Sequence, residues 1–340
     1  MSIGFQNIWR MGYGTALHRA FGVRRPLNVM LSLTDRCTCL CKYCRIPLRK
    51  SPEMSLDQLI ALFGQMRRAG TARLGLWGGE PLVRRDIGDI LVAAKDKGFY
   101  VSVDTNGELV SQKLTELESA DHVVVSLDGR KENHDGNRHA GAHDAALEAI
   151  RALSLRNKRV WTISVLTRRT IHDVDYILDL AREHGFMATF QILHHNAILG
   201  TDTTDLAPDD HDLRQTIKYL IQAKLRGAPI ANTIHYLKYI RGWPDFSRPA
   251  SYERVGWLPC FAGDLFCNID TNGDLFPCSL LVGQIPARNV LTSGFSEAFK
   301  ATSRKGCESC AASCYVEYNH LHSLNPAAVW DFGRSVGLKG

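Results

Sequence analysis

Between Cys37 and Cys44 the chain reads CTCLCKYC, four cysteines in eight positions. Six more fall between Cys260 and Cys314, and none lies between the two groups. Clustered thiols in a chain without a secretory signal point to metal rather than to disulfides. Cys37, Cys41 and Cys44 are spaced C-x3-C-x2-C. A short loop with that spacing can wrap three thiolates around adjacent corners of an iron–sulfur cube and leave one iron open. An open coordination position is what makes a metal centre catalytic. The competing arrangement is a four-cysteine zinc site with Cys39 as the further ligand. Cys39 lies inside the spacer, and its side chain is expected to turn away from a cluster and fill space as a small hydrophobe.

In the second group Cys260, Cys267 and Cys278 accompany FCNIDTNGDLFPCS, whose Asn272-Gly273 pair signals a hairpin. Such a hairpin returns Cys260 and Cys278 to one end and holds them rigidly. Cys307, Cys310 and Cys314 follow as C-x2-C-x3-C.

These thiols need a scaffold. From residue 27 onward apolar strands alternate with amphipathic helices: PLNVMLSL, ARLGLWG, FYVSVDTNG, HVVVSLDG, RVWTISVLT and MATFQILHH are strands. The first ends just before the Cys37 loop. SLDQLIALFGQMRRAG is a helix with a capping box at Ser55 and Gln58 and a stop at Gly70. Helices are also expected from about residue 109, over HDAALEAIRALSLRN and over IHDVDYILDLAREHG. This α/β pattern implies a parallel sheet with helical cover, either a partial (β/α)6 barrel or a doubly wound sheet. In both, chemistry gathers at the carboxyl ends of the strands. The sixth strand ends in Gln191, His194 and His195, which places the two histidines as candidate proton acceptors. HYLKYIRGW carries Tyr236, Tyr239, Arg241 and Trp243, either pocket walls or an ordinary packed helix. The expected divisions are an N-terminal helical extension (1–26), a barrel core (27–207), a helical connector (208–257), a cysteine-rich domain (258–320) and a tail (321–340).

The first 25 residues place Phe5, Ile8, Trp9, Tyr13, Leu17 and Phe21 at helical spacing beside several arginines. Such a helix either packs across the open edge of the domain, the favoured reading, or makes a weak peripheral membrane contact. No apolar run reaches the roughly 18 residues of a membrane span, and no signal peptide opens the chain, so a cytoplasmic protein is expected. The net charge is +6. No basic block or zinc-finger helix accompanies it, which argues against nucleic acid as a partner.

The cysteine triad with Tyr43 before its last member resembles the signature of the radical S-adenosylmethionine (SAM) superfamily. WGGEP (77–81) after the second strand looks like that superfamily's GGEP element. DTNG (104–107) and SLDG (126–129) end the next two strands. The resemblance implies a TIM-type partial barrel, with a [4Fe–4S] cluster on Cys37, Cys41 and Cys44 that binds SAM at its open iron. It implies a SAM site built from Tyr43, Gly78, Gly79, Glu80, Pro81, Thr105, Asn106, Ser126, Asp128 and Arg138, with Glu80 and the adjacent backbone at the methionine amino group. It also implies reductive cleavage of SAM to a 5′-deoxyadenosyl radical, fed by a flavodoxin- or ferredoxin-type electron donor. The tail resembles the opening of SPASM or twitch auxiliary domains. Eight cysteines would be needed for two complete auxiliary clusters and six are present, so one auxiliary [4Fe–4S] cluster is expected. Its ligands are expected to be Cys260, Cys278, Cys307 and Cys310, with Cys314 or Cys267 able to replace one.

Members of this superfamily act on small molecules or on peptides. Only 26 residues precede the first strand, too few for an independent leader-binding domain, which favours a small sugar, nucleoside or lipid substrate over a ribosomally made peptide. The reaction type, oxidation, bond formation or lyase chemistry, is left open. A non-catalytic iron–sulfur or zinc scaffold is the rival from another class.

Overall fold

The computed structural model describes residues 4–194, 202–248, 250–251, 253–303 and 306–335. Helix α1 (Phe5–Phe21) precedes six parallel strands: β1 (Asn28–Ser32), β2 (Arg73–Trp77), β3 (Tyr100–Thr105), β4 (His122–Ser126), β5 (Val160–Leu166) and β6 (Met187–Ile192). They lie side by side in chain order. Their connections carry α2 (Leu56–Ala69), α3 (Ile87–Asp96), α4 (Lys131–Asn137), α5 (Ala142–Leu155) and α6 (Val174–His184) on the outer face. The capping box of α2 is present at Ser55 and Gln58, and Gly70 closes the helix in the left-handed region. Outward-facing residues such as Val29, Leu31, Leu74, Leu76, Val101 and Val103 are fully buried beneath the helices. Six β/α units with polar residues on the inner face make a partial barrel.

One expected helix is missing. Residues 109–120 form turns and a short 3-10 stretch, with amides bonded three residues back (Val110 to Gly107, Lys113 to Val110, Glu118 to Thr115). Val110 and Leu117 still reach the core at 0% exposure, so this segment buries its apolar residues without a regular helix.

After β6 come α7 (Asp210–Leu225) and α8 (Ile234–Arg241), then the two-residue β7 (Ala250–Ser251). The Asn272-Gly273 hairpin forms as β8 (Phe266–Ile269) and β9 (Asp274–Phe276), with Gly273 at φ 89°. It does not stand apart from the barrel. β8 pairs in parallel with β1, Asn28 opposite Phe266 and Leu31 opposite Ile269, and with β10 (Arg288–Asn289) the sheet runs β10-β9-β8-β1-β2-β3-β4-β5-β6. Helices α9 (Val290–Ser293) and α10 (Phe295–Lys300) follow. β11 (Ser309–Cys310) pairs with β7. Helix α11 (Ser313–His322) then packs across the barrel opening, with α12 (Pro326–Ser335) beyond it. Tyr315 stacks on Phe266 at 5.4 Å, the Ser313 amide donates to Gln191 Oε1 at 2.9 Å, and Arg73 donates to the Tyr318 hydroxyl at 2.6 Å.

α1 docks on this assembly. Asn7 Nδ2 donates to the Gly98 carbonyl at 3.3 Å, Thr15 Oγ1 pairs with His322 Nδ1 at 2.8 Å, and His18 meets the edge of Phe261. Gly14 admits the Leu27 side chain, where a Cβ would stand 2.5 Å from Leu27 Cδ2. Trp9, Tyr13 and Phe21 remain exposed on its other side. No helix among the described residues is long and apolar enough to cross a membrane.

Candidate active site at the mouth of the barrel

The Cys37 loop leaves β1 and folds against the ends of β2, β3 and β4. The GGEP turn makes that possible. Gly79 N donates to Thr34 O and Glu80 N to Arg36 O, both at 2.8 Å. A Cβ on Gly79 would stand 2.3 Å from the Arg36 carbonyl oxygen, so only glycine lets the two backbones approach this closely. Gly78 adopts φ 139°, another conformation that L side chains rarely take. Pro81 opens a short 3-10 turn behind Glu80.

Glu80 is fully buried. Its carboxylate accepts from the amides of Leu82 (3.0 Å) and Asn106 (2.7 Å) and from the Thr105 hydroxyl (2.9 Å). Burial nevertheless pushes its pKa up to about 7. Asn106 Nδ2 reaches back to the cysteine loop, 2.8 Å from Thr38 Oγ1 and 3.8 Å from Cys37 Sγ.

The opposite wall is the segment after β4. Asp128 accepts from the Tyr43 hydroxyl at 2.7 Å and from Arg138 Nε at 2.9 Å. Arg138 Nη1 lies 3.7 Å from Cys41 Sγ, and its guanidinium sits over the Tyr43 ring. Burial raises the Asp128 pKa, but Arg138, His134 and Tyr43 outweigh it and hold the carboxyl below its usual range. A hydrogen bond from Cys39 and the charge of Arg138 outweigh burial at Cys41 and bring it down to about 7, whereas burial pushes Cys44 up to about 11. Ser126 ends β4, on the same strand parity as Val124, which faces the barrel interior. Cys39 departs from the expected orientation. It is buried, but its thiol lies between the sulfurs of Cys37 and Cys41 and reaches Glu108 Oε1 at 3.4 Å.

Beneath the mouth lies a cavity of about 210 Å³, lined by Arg73, Asp104, Trp161, Gln191, Asn232 and Cys314 among others. Burial pushes Asp104 up to about 6, with Arg73 pulling the other way. Asn232 is 1% exposed and its Nδ2 has no partner among the described residues. Sequence reading missed Asp104 and Arg73 as cavity groups, although Ser102 and Asp104 stand at alternating positions of β3, the parity of an inward face. Of the two histidines, His194 Nε2 lies 2.5 Å from Gln191 Nε2 at the end of β6, and His195 lies outside the described residues. Tyr236 and Trp243 are core residues at 1% exposure, and Tyr239 adjoins the tail cysteines rather than the cavity.

Four tail cysteines come together. Cys310 has Cys260, Cys278 and Cys307 as its charged neighbours, and burial pushes the thiols of Cys278 and Cys310 well up. Cys267 is not among them: on β8 opposite Val29 it is 0% exposed in the apolar core. Cys314 is not among them either. In the first turn of α11, four residues past Cys310, it lines the barrel cavity, where desolvation by the surrounding protein, with Asp104 adding to it, pushes its thiol up to about 12. Tetrahedral zinc on cysteine needs sulfurs about 3.8 Å apart, from bonds of about 2.3 Å. Among the described residues the sole set of three His, Cys, Asp or Glu ligand atoms within 4.8 Å of one another is Cys39, Glu108 and His139. Neither cysteine group therefore holds three sulfurs that all lie within 4.8 Å of one another.

Residues 31–181, the stretch that contains the cysteine triad and the strand-end motifs, match the Radical SAM superfamily. That stretch is a radical SAM domain. The radical SAM chain is 28% identical over 296 residues to a PqqA peptide cyclase of Streptomyces rochei, covering 82% of this chain and 77% of the relative. Its fold is similar to that of Streptococcus suis SuiB bound to S-adenosylmethionine, with a TM-score of 0.67 at 17% identity, covering 84% of this chain and 68% of SuiB. The same protein bound to its precursor peptide SuiA aligns with a TM-score of 0.67. anSMEcpe with bound AdoMet aligns over 92% of this chain and all of that one, with a TM-score of 0.64 at 16% identity. These similarities agree with a radical SAM α/β core followed by a cysteine-rich SPASM-type region.

Proposed function

We propose that this radical SAM enzyme modifies a ribosomally made peptide. The observation that carries the reading is the similarity to a PqqA peptide cyclase over four-fifths of the chain. The expectation of a small sugar, nucleoside or lipid substrate rested on the short segment before β1, and the similarity to a peptide cyclase favours the peptide instead.

In this reading Cys37, Cys41 and Cys44 hold the SAM-binding [4Fe–4S] cluster, and Cys260, Cys278, Cys307 and Cys310 hold one auxiliary [4Fe–4S] cluster. The donor sets fit. Each is an all-thiol group of free cysteines, and the first faces a backbone cradle that only Gly78 and Gly79 permit. When bound, the reduced cluster and SAM supply a carbon-centred radical that removes hydrogen from the substrate. The chain's own residues do the rest. Glu80 presents a buried carboxylate to the ammonium of SAM. Arg138, fixed by Asp128, directs an N–H toward a ligand sulfur. The cavity around Asp104 and Trp161 takes the substrate side chain and excludes water.

Anaerobic reconstitution followed by chromatography for 5′-deoxyadenosine tests the first half. Co-expression with short peptides encoded beside the gene, read by mass spectrometry, tests the second. A mass shift in one peptide that disappears in Cys41→Ala is the expected result. Full iron loading without any SAM cleavage overturns the enzymatic reading. SAM cleavage coupled to a small metabolite, with every peptide unchanged, overturns the peptide reading.

A further inference from the structure

Residues 1–34 contain four arginines, Arg10, Arg19, Arg24 and Arg25, and no aspartate or glutamate. Helix α1 lies within this stretch. At about 100° per residue, Trp9, Gly12, Tyr13, Ala16 and Ala20 share one stripe of the helix, and all five are exposed. The opposite side carries Asn7, Gly14 and Thr15, which are buried. Trp9 and Tyr13 stack with ring centroids 4.8 Å apart, yet remain 57% and 45% exposed. A contiguous apolar face left in water marks a contact surface.

The charges complete the pattern. Arg10 and Arg19 fall on the two flanks of the stripe. Arg67, near the end of α2, lies close to Arg10: burial and that neighbouring charge both depress its pKa. Among the described residues Arg10, Arg19 and Arg67 make no ion pair with a carboxylate. Arg24, by contrast, is tied to Asp264 at 3.0 Å, and Arg25 covers the Tyr13 ring at 5.9 Å. Like charges held together without a counter-charge call for an anion. Gly12, Ala16 and Ala20 are small, so the stripe is a convex ridge crowned by the two rings. A bound peptide needs a groove or a free strand edge. A lipid surface needs only a ridge with aromatic rings at its crest and arginines at its sides.

We propose that the exposed face of α1 seats the protein on an anionic membrane surface. Trp9 and Tyr13 enter the headgroup layer, while Arg10, Arg19 and Arg67 meet lipid phosphates. The contact is peripheral, since no helix among the described residues is long and apolar enough to cross a membrane. The docked side of the same helix reaches the barrel cavity through Met11. The membrane contact therefore sets that wall of the cavity about one helix diameter, roughly 10 Å, from the lipid. The inference stands apart from the choice of substrate. Its rivals are a second copy of the chain and an acidic protein.

The test uses the full chain, purified without oxygen and with its iron–sulfur centres loaded. It is sedimented with vesicles of phosphatidylcholine alone or mixed with phosphatidylglycerol. Binding to the mixed vesicles is expected, well above that to phosphatidylcholine and diminished by high salt. Arg10→Gln and Arg19→Gln should each weaken it about fivefold. Trp9→Ser/Tyr13→Ser should weaken it at least about tenfold, with iron content and SAM cleavage as in the parent. Lipid brominated on its acyl chains should quench tryptophan emission, and Trp9→Phe should remove that quenching. No binding to the mixed vesicles, or binding that survives in Trp9→Ser/Tyr13→Ser, overturns the proposal. Without vesicle binding, a dimer lost in that double variant assigns the face to a second copy, and binding of polyglutamate assigns it to an acidic protein; either outcome also overturns the proposal.

Discussion

The amide of Asn106, just past the end of β3, donates to Glu80 Oε2 at 2.7 Å, which joins the ends of two neighbouring strands at a carboxylate with no exposure to solvent. Three donors converge on that group, yet burial still lifts its pKa from 4.5 to about 7. The fold therefore favours the protonated form. Its contribution to stability is complete below about pH 4.5 and is lost as pH rises through about 7. The ammonium of SAM favours the carboxylate instead, so SAM affinity should rise from about pH 6 to pH 8, by up to about tenfold per unit below 7. Glu80→Gln should flatten that dependence. Equilibrium binding measured across the range checks it, and a flat profile in the parent protein contradicts it.

The Arg138–Asp128 pair is buried, with side chains 7% and 0% exposed. Removal of one partner strands a charge, which costs about 3–5 kcal/mol in comparable sites. Arg138→Met should lower stability by that order in denaturant titration and weaken SAM binding. Recovery of most of the stability in Arg138→Met/Asp128→Asn would show the loss to be the stranded carboxylate.

Gly79→Ala tests the backbone cradle. The added methyl meets two carbonyl oxygens, of Arg36 at 2.3 Å and Asp35 at 2.7 Å, so the cysteine loop has to move. A cost of about 1–3 kcal/mol and a fall of at least about tenfold in SAM affinity are expected. Gly12→Ala is the control: within α1 it meets nothing, and it should stabilise by about 0.5–1 kcal/mol.

Iron analysis separates the tail cysteines. Cys310→Ser should lose about four irons and the matching sulfide, the content of one cluster. Cys314→Ser and Cys267→Ala should keep the parent's iron, since the first faces the cavity and the second the apolar core. Loss of iron in Cys314→Ser would return that residue to the ligand set.

Much of this was legible from local pattern. The period-two and helical repeats located the six strands and most of their helices, because each element must bury one face. The capping box at Ser55, the hairpin at Asn272-Gly273 and the motifs at strand ends were readable for the same reason, since each depends on a few neighbouring residues. The segment after Gly107 was misjudged because its apolar residues reach the core through turns, and composition cannot tell such turns from a helix.

What residues 36 to 44 determined by themselves was a thiol loop able to grip a cluster, with its partners at the ends of the following strands. Only the tertiary structure decided how distant segments meet. It set the hairpin beside β1, sent Cys267 into the core and Cys314 into the barrel, and brought Glu108 and His139 to Cys39. Strand parity and helical phase fix which way a side chain points from its own element. Which other element waits there is a matter of packing between residues far apart in the chain, and no local spacing records it.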